Sequence, residues 1–184
     1  MLVALAAAAL IVVAAVLTLR RQPARAVGPP TPRPTATPIP AFIIHRDSPP
    51  TAVRWTVVNP ATHRSAIIIR AHVDTHGTAQ DPAPAGTMFV TFEALIHNGS
   101  STSGYYNALD FRLADVRGKS YNETTFFPGA ADAELQGGND NPPGGTKSGA
   151  IGFSVPTSTR TVTLTWSDGG KANPPLTLQR IAIH

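Results

Sequence analysis

The chain has 184 residues, with 15 Lys and Arg against 11 Asp and Glu, a formal net charge of +4 and no cysteine. The absence of cysteine excludes disulfides, thiolate catalysis and cysteine zinc sites together. A sequence pI near 10.0 fits a phosphate-binding protein only if the cations lie on the folded part, and here they do not. Arg20, Arg21, Arg25 and Arg33 stand in residues 1–40 without an acid, so the other residues hold 11 basic and 11 acidic side chains. A nucleic-acid-binding face needs a surplus of cations, and residues 41–184 have none, so no nucleic-acid partner is expected. With 15 Gly and 18 Pro, the composition opposes a helical bundle and favours short strands joined by many turns.

Leu2 to Leu19 reads LVALAAAALIVVAAVLTL, in which Thr18 is the one polar residue. A helix of that length is about 27 Å long, close to the hydrocarbon thickness of a bilayer. It exceeds the usual apolar region of a cleaved signal peptide, roughly 7–15 residues. Residues 1–21 are therefore expected to be a membrane anchor or an uncleaved signal segment, and the membrane is the first expected partner. The arginines that follow would hold the C-terminal side in the cytoplasm by the positive-inside rule. Ala24-Arg25-Ala26 offers an opposing A-x-A pattern for cleavage after Ala26. With no cysteine, a lipobox is excluded. The arrangement favoured is a single-pass protein of the cell membrane with its folded domain extracytoplasmic. Residues 22–50 read as a Pro-rich stalk, with seven prolines between Pro23 and Pro40. Proline fixes φ and removes a donor, so such a stretch is extended and semi-rigid.

From Ala52 the apolar residues recur with period two. Val53, Trp55 and Val57 form one such set, and Ile67, Ile69, Ala71 and Val73 the next. The longest run, Thr87 to Asn98, sends Met88, Val90, Phe92, Ala94 and Ile96 to one face and ends at an Asn98-Gly99 turn. Leu109, Phe111 and Leu113 follow, then Ile151, Phe153 and Val155, then Val162, Leu164 and Trp166, then Leu176 and Leu178. Breakers such as Pro142-Pro143-Gly144-Gly145 and Asp168-Gly169-Gly170 separate them. Short strands at this spacing predict an all-β, antiparallel two-sheet sandwich over residues 51–184. Phe92, Phe111, Phe153 and Trp166 are expected to dominate its core, and Gly86 and Gly144 to turn the chain with positive φ.

Three segments carry a family resemblance. Ala85-Gly86-Thr87-Met88-Phe89-Val90-Thr91-Phe92 running to Ile96-His97-Asn98 is the first. Phe111-Arg112-Leu113-Ala114-Asp115 with Gly118 and Tyr121 is the second, and Pro143-Gly144-Gly145 through Gly149 to Pro156 the third. In order and spacing they resemble a bacterial extracytoplasmic domain-of-unknown-function family, found on lipoproteins and anchored proteins and sometimes titled telomeric repeat-binding factor-like. The resemblance implies an immunoglobulin-like sandwich outside the membrane and no established catalytic residues. The missing lipobox cysteine means that the mode of anchoring is not carried over.

Chemistry-bearing constellations are few. His72, Asp74 and His76 alternate along one stretch, so a strand would place them on one face as a metal set of two imidazoles and a carboxylate. Same-face neighbours lie about 6–7 Å apart along a straight strand, which makes chelation awkward and favours a solvated His–Asp face beside Arg70. Gly137 to Pro142 offers oxygen ligands without calcium-loop spacing, which favours a flexible turn. Tyr105-Tyr106 offers an aromatic contact. No nucleophile elbow, zinc-protease helix or phosphate loop is present in the sequence. The chain is therefore expected to be a non-catalytic binding module of the cell envelope, with no cofactor and with an envelope protein or glycan as partner. An envelope metal-binding protein is the alternative, and an envelope hydrolase ranks last.

Overall fold

A computed structural model describes residues 41–79 and 81–184. The apolar segment at 2–19 and the prolines up to Pro40 lie outside the described residues. No helix among the described residues is long and apolar enough to cross a membrane.

Among the described residues, eleven strands and one 3-10 turn make up the fold. One sheet orders β1 (Phe42–Ile44), β11 (Leu176–Ile183), β10 (Thr161–Trp166) and β6 (Phe111–Asp115). The second orders β2 (Thr51–Asn59), β3 (Arg64–Asp74), β4 (Thr87–Asn98), β9 (Thr146–Pro156) and β7 (Glu123–Thr124). A small ribbon pairs β5 (Gly104–Tyr106) with β8 (Gly138–Asn141). The pairing is antiparallel except that β1 runs parallel to β11. The all-β sandwich expected from the alternation is the fold observed.

The inward set of β4 follows the alternation throughout, with Met88, Val90, Phe92, Ala94 and Ile96 fully buried. Phe111, Phe153 and Trp166 join Phe92 in the same core. Each such side chain withdrawn from water stabilises the fold by about 2–3 kcal/mol before chain entropy is counted. Phe92 stands edge-on to both Trp55 and Phe153, with ring centroids 6.1 and 6.4 Å apart. Gly86 and Gly144 have φ of +78° and +73°, as a turn into a strand requires.

Three expectations are corrected. The alternation of β3 changes phase at a bulge between Ile68 and Arg70. Ala66 and Ile68 therefore face the core with Ala71 and Val73, while Ile67 and Ile69 do not. Leu109 lies in the 3-10 turn Ala108–Asp110 and is exposed. Asn98 does head a turn as expected, its Oδ1 accepting from the Ser100 N–H at 3.1 Å, and it is fully buried, with its Nδ2 donating to the carbonyls of Thr102 and Asn141, both at 2.8 Å. Finally, the stalk boundary at residue 50 falls inside the folded unit. Phe42 and Ile44 pair with Ile181 and Ile183, and Phe42 stacks edge-on against Trp55 at 5.3 Å. The apolar run after Pro40 finds an open edge of β11, and pairing there satisfies its backbone groups.

The outer face of β3 and β4 is not open to solvent along its whole length. The segment between β7 and β8 folds over it. Phe126 packs on Phe89 at 4.9 Å, and the Ala131 N–H donates to Glu93 Oε1 at 2.7 Å. Leu135 is buried, its N–H bonded to the Ala150 carbonyl at 2.9 Å. This cover explains why Phe89, Thr91 and Glu93 are buried on what the alternation alone marks as the polar side.

Candidate functional site

The two ends of β3 carry the two groupings with chemical potential. At its C-terminal end stand His72, Asp74 and His76, and the structure does not keep them on one straight face. Asp74 Oδ1 accepts from the backbone N–H groups of His76 and Gly77 at 2.7 and 2.8 Å. The chain therefore turns after Asp74, and His76 swings to Asp47, with Nδ1 3.2 Å from Asp47 Oδ1. Asp47 also accepts from the Thr75 N–H at 2.7 Å and the Thr75 hydroxyl at 2.8 Å. Partial burial pushes the Asp47 carboxyl up, but these hydrogen bonds and the His76 ring outweigh it and hold its pKa below the ordinary value. One ligand atom each from Asp47, Asp74 and His76 lie within 4.8 Å of one another. His72 Nε2 is 3.8 Å from Asp74 Oδ2. Its ring is not solvated as the alternation implied, because it lies beneath Gly129, where a Cβ would come within 2.6 Å of His72 Cδ2. Asp47, missing from the sequence reading, comes from a distant connection whose only local signal is an acid after an apolar strand.

At the N-terminal end of β3, Arg64 is buried and its Nη2 lies 2.7 Å from Asp168 Oδ1. Asp168 Oδ2 accepts from Asn59 Nδ2 at 2.7 Å and from the Thr62 hydroxyl at 2.5 Å. Arg64 Nη1 donates to the Tyr105 carbonyl at 2.7 Å, tying β5 to the pair. Nearby Asp110 is pushed above its ordinary pKa by burial and then by the Asp168 charge, against the opposing effect of the Gly169 N–H and Arg64. Over this network opens a cavity of about 580 Å³, walled by Thr62, His63, the Ser100–Ser103 loop and Lys171. Its lining is hydroxyl-rich and carries cations but no acid.

The remaining sequence candidates resolve into structure. Gly138 to Asn141 is strand β8 rather than a flexible turn. Asp140 is taken up by Lys147 Nζ at 2.9 Å and the Tyr106 hydroxyl at 2.9 Å, which lower its pKa. Tyr106 packs partly against the core, and Lys147 lies over its ring at 5.2 Å. Thr75, His76 and Asp47 do not form a nucleophile triad. Hydroxyl and carboxylate both meet the same ring nitrogen, and the hydroxyl donates to the carboxylate.

Residues 61–173, more than half of the chain, match the family described as Domain of unknown function (DUF4352). The chain belongs to the DUF4352 family. The resemblance carried by the segments around Gly86, Phe111 and Gly144 is thus upheld, and all three lie within the matched span. The DUF4352 fold is also similar to solved bacterial structures. One is ycdA of Bacillus subtilis, described as a candidate lipoprotein, at 16% identity and a TM-score of 0.49, covering 65% of this chain and 36% of that one. The chain thus spans about a third of the length of ycdA. Another is a conserved hypothetical protein of Bacillus anthracis, at 12% identity and a TM-score of 0.49, covering 71% of this chain and 96% of that one. A third is the secreted protein MPT63 of Mycobacterium tuberculosis, at 13% identity and a TM-score of 0.36, covering 78% and 99%. No curated protein matches the chain.

Proposed function

We propose that this DUF4352 protein is a membrane-tethered, extracytoplasmic, immunoglobulin-like module of the bacterial cell envelope. It binds a polar partner, an envelope glycan or a polar protein segment, without catalysing a reaction. The apolar segment at 2–19 and the prolines to Pro40 support the tether, as an anchor followed by a stiff spacer. The observation that carries the binding reading is the cavity at the Arg64 end. Its volume, about 580 Å³, falls in the range of ligand clefts. Its Ser and Thr hydroxyls donate and accept, and Lys171 donates, which suits a ligand rich in hydroxyl or amide groups. The buried Arg64–Asp168 pair beneath it holds the surrounding turns in place. Nucleic acid is not the partner, because residues 41–184 carry no net charge.

Two measurements test this reading. A C-terminal tag on the full chain is digested by added protease in intact cells, and protection there would refute the extracytoplasmic placement. The full chain then captures an envelope glycan or protein from solubilised envelope. Filling the cavity with Ser101→Trp removes that capture, whereas Val58→Lys, on an exposed β2 position, leaves it intact. Equal capture by the filled variant would place binding elsewhere.

A further inference from the structure

The zero net charge of residues 41–184 is unevenly spread. At the end of the sandwich opposite the Arg64 cavity, the guanidinium groups of Arg46 and Arg160 and the imidazole of His184 wall a second cavity, of about 560 Å³. The two ends are distinct, because Arg64 begins β3 while Asp47, next to Arg46, donates its N–H to the Val73 carbonyl near the close of that strand. Backbone hydrogen bonds fix all three residues. The Arg46 N–H donates to the His184 carbonyl at 2.8 Å, the His184 N–H to the Ile44 carbonyl at 3.0 Å, and the Ile183 N–H to the Arg160 carbonyl at 2.8 Å. Thr161 and Ala182, cross-strand partners on β10 and β11, also line the cavity, and their small side chains leave it open.

Both guanidiniums are fastened to the one turn that joins β9 to β10. Arg46 Nη2 donates to the Thr159 carbonyl at 3.2 Å, and Arg160 Nη1 to the Thr157 carbonyl at 3.3 Å. That turn is closed by the Thr159 N–H on the Pro156 carbonyl at 2.9 Å. Two like charges are thus held as neighbours, which is unfavourable unless an anion lies between them. No acid of the protein takes that place. Among the described residues neither arginine forms an ion pair, and the sequence has no acid before Asp47. Asp47 is taken up by Thr75 and His76, and Asp115 by the N–H groups of Arg117 and Lys119. The His184 oxygen at the cavity takes the Arg46 backbone N–H rather than a guanidinium. Arg46 Nη1 and Arg160 Nη2 are therefore left without an acceptor among the described residues.

We infer that this cavity binds a phosphate group, carried either on a soluble phosphate ester or on a lipid headgroup. Guanidinium forks match phosphate oxygens and stay charged at every working pH. Two guanidiniums and an imidazole on separate segments approach from three sides, which suits a tetrahedral anion with several oxygens better than a flat carboxylate with two. The bound phosphate would lie between the two arginines and relieve their repulsion. This site is separate from the Arg64 cavity and does not depend on what that cavity holds.

The test uses residues 38–184, a compact unit that carries the whole core. It is titrated calorimetrically with glycerol phosphate and, separately, sedimented with vesicles of phosphatidylglycerol in phosphatidylcholine. Saturable heat with glycerol phosphate assigns the site to a soluble ester, and sedimentation with the anionic vesicles alone assigns it to a lipid headgroup. In either arm Arg160→Gln lowers affinity at least about tenfold, since a charge-assisted contact is lost. Arg160 is exposed and gives up only the Thr157 contact, so this variant keeps the ligand-free thermal midpoint of the parent even if Arg46→Gln does not fold. Arg54→Gln removes the same charge from an exposed position on β2, in the other sheet, and changes affinity by less than about twofold. Ser101→Trp, which fills the Arg64 cavity, leaves phosphate binding intact. The inference is overturned by the absence of binding in both arms, by undiminished binding in Arg160→Gln, by an equal loss in Arg54→Gln, by loss of binding in folded Ser101→Trp, or by sodium acetate binding as tightly as glycerol phosphate.

Discussion

Separating Arg64 from Asp168 tests whether the cavity floor is held by one buried ion pair. Arg64→Met leaves Asp168, almost wholly buried, with only the Asn59 and Thr62 donors. Removing one partner of a buried pair costs about 3–5 kcal/mol, because the other charge stays buried without compensation. The Tyr105 carbonyl also loses its Arg64 donor, at a further cost of about 1 kcal/mol. Asp168→Asn preserves shape and tolerates the left-handed φ of 51° found there, but leaves the Arg64 charge unpaired. With both changes present, neither charge remains. The double variant should therefore recover about 2 kcal/mol relative to the sum of the single losses. The assay is urea unfolding of residues 38–184, a compact unit by itself that carries the whole core. It is followed by the fluorescence of Trp55 and Trp166, both buried. The thermal midpoint of Arg64→Met should fall by roughly 6–20 °C, at about 2–4 °C per kcal/mol for a domain of this size. Additive losses within about 0.5 kcal/mol, or a cost below about 1 kcal/mol for Arg64→Met, would refute the reasoning.

Gly149→Ala should unfold the domain or cost several kcal/mol, because the added Cβ meets Leu135 Cα and lies 2.6 Å from Leu135 N. Gly86→Ala should cost only about 1 kcal/mol of backbone strain, since its φ is +78° and the surrounding space is open; equal losses in urea would contradict this contrast. Phe92→Ala should cost about 3–5 kcal/mol through lost burial and the cavity left among Trp55 and Phe153, read as a fall in urea midpoint. Asp110 has a folded pKa above its ordinary 3.8, so its ionisation weakens the fold. Its contribution therefore diminishes as pH rises from 3.8 through the raised value, and Asp110→Asn should gain on the parent protein across that window. A pH-independent difference between their urea midpoints, or one of opposite slope, would exclude that sign.

Much of the molecule was legible in order of residues alone. On β10 the set Val162, Leu164 and Trp166 alternates with half-buried threonines, so there the alternation reports burial directly, while on β4 and β9 it picks out the inward face but not the cover on the outward one. Phe92, Phe111, Phe153 and Trp166 could be placed in the core because side chains of that size are seldom left in water. Where the pattern misled, a local count met a long-range event. The Ile68–Arg70 bulge shifts β3 by one residue, and no alternation can register an extra residue within an unbroken Ile run. Glu93, Thr91 and His72 looked solvated because their cover comes from residues 126–131, far along the chain.

By itself the sequence determined the all-β class, the family, the neutral charge of residues 41–184 and the presence of two histidines flanking Asp74. These follow from residue type and short-range periodicity, which act over a few bonds. Only the tertiary structure decided which groups meet. It turned His76 away from His72 and onto Asp47, buried Arg64 against Asp168 across more than a hundred residues of chain, and opened the hydroxyl-lined cavity above them. Such meetings depend on sheet order and loop path, and those are set by the packing of the whole core rather than by any one segment.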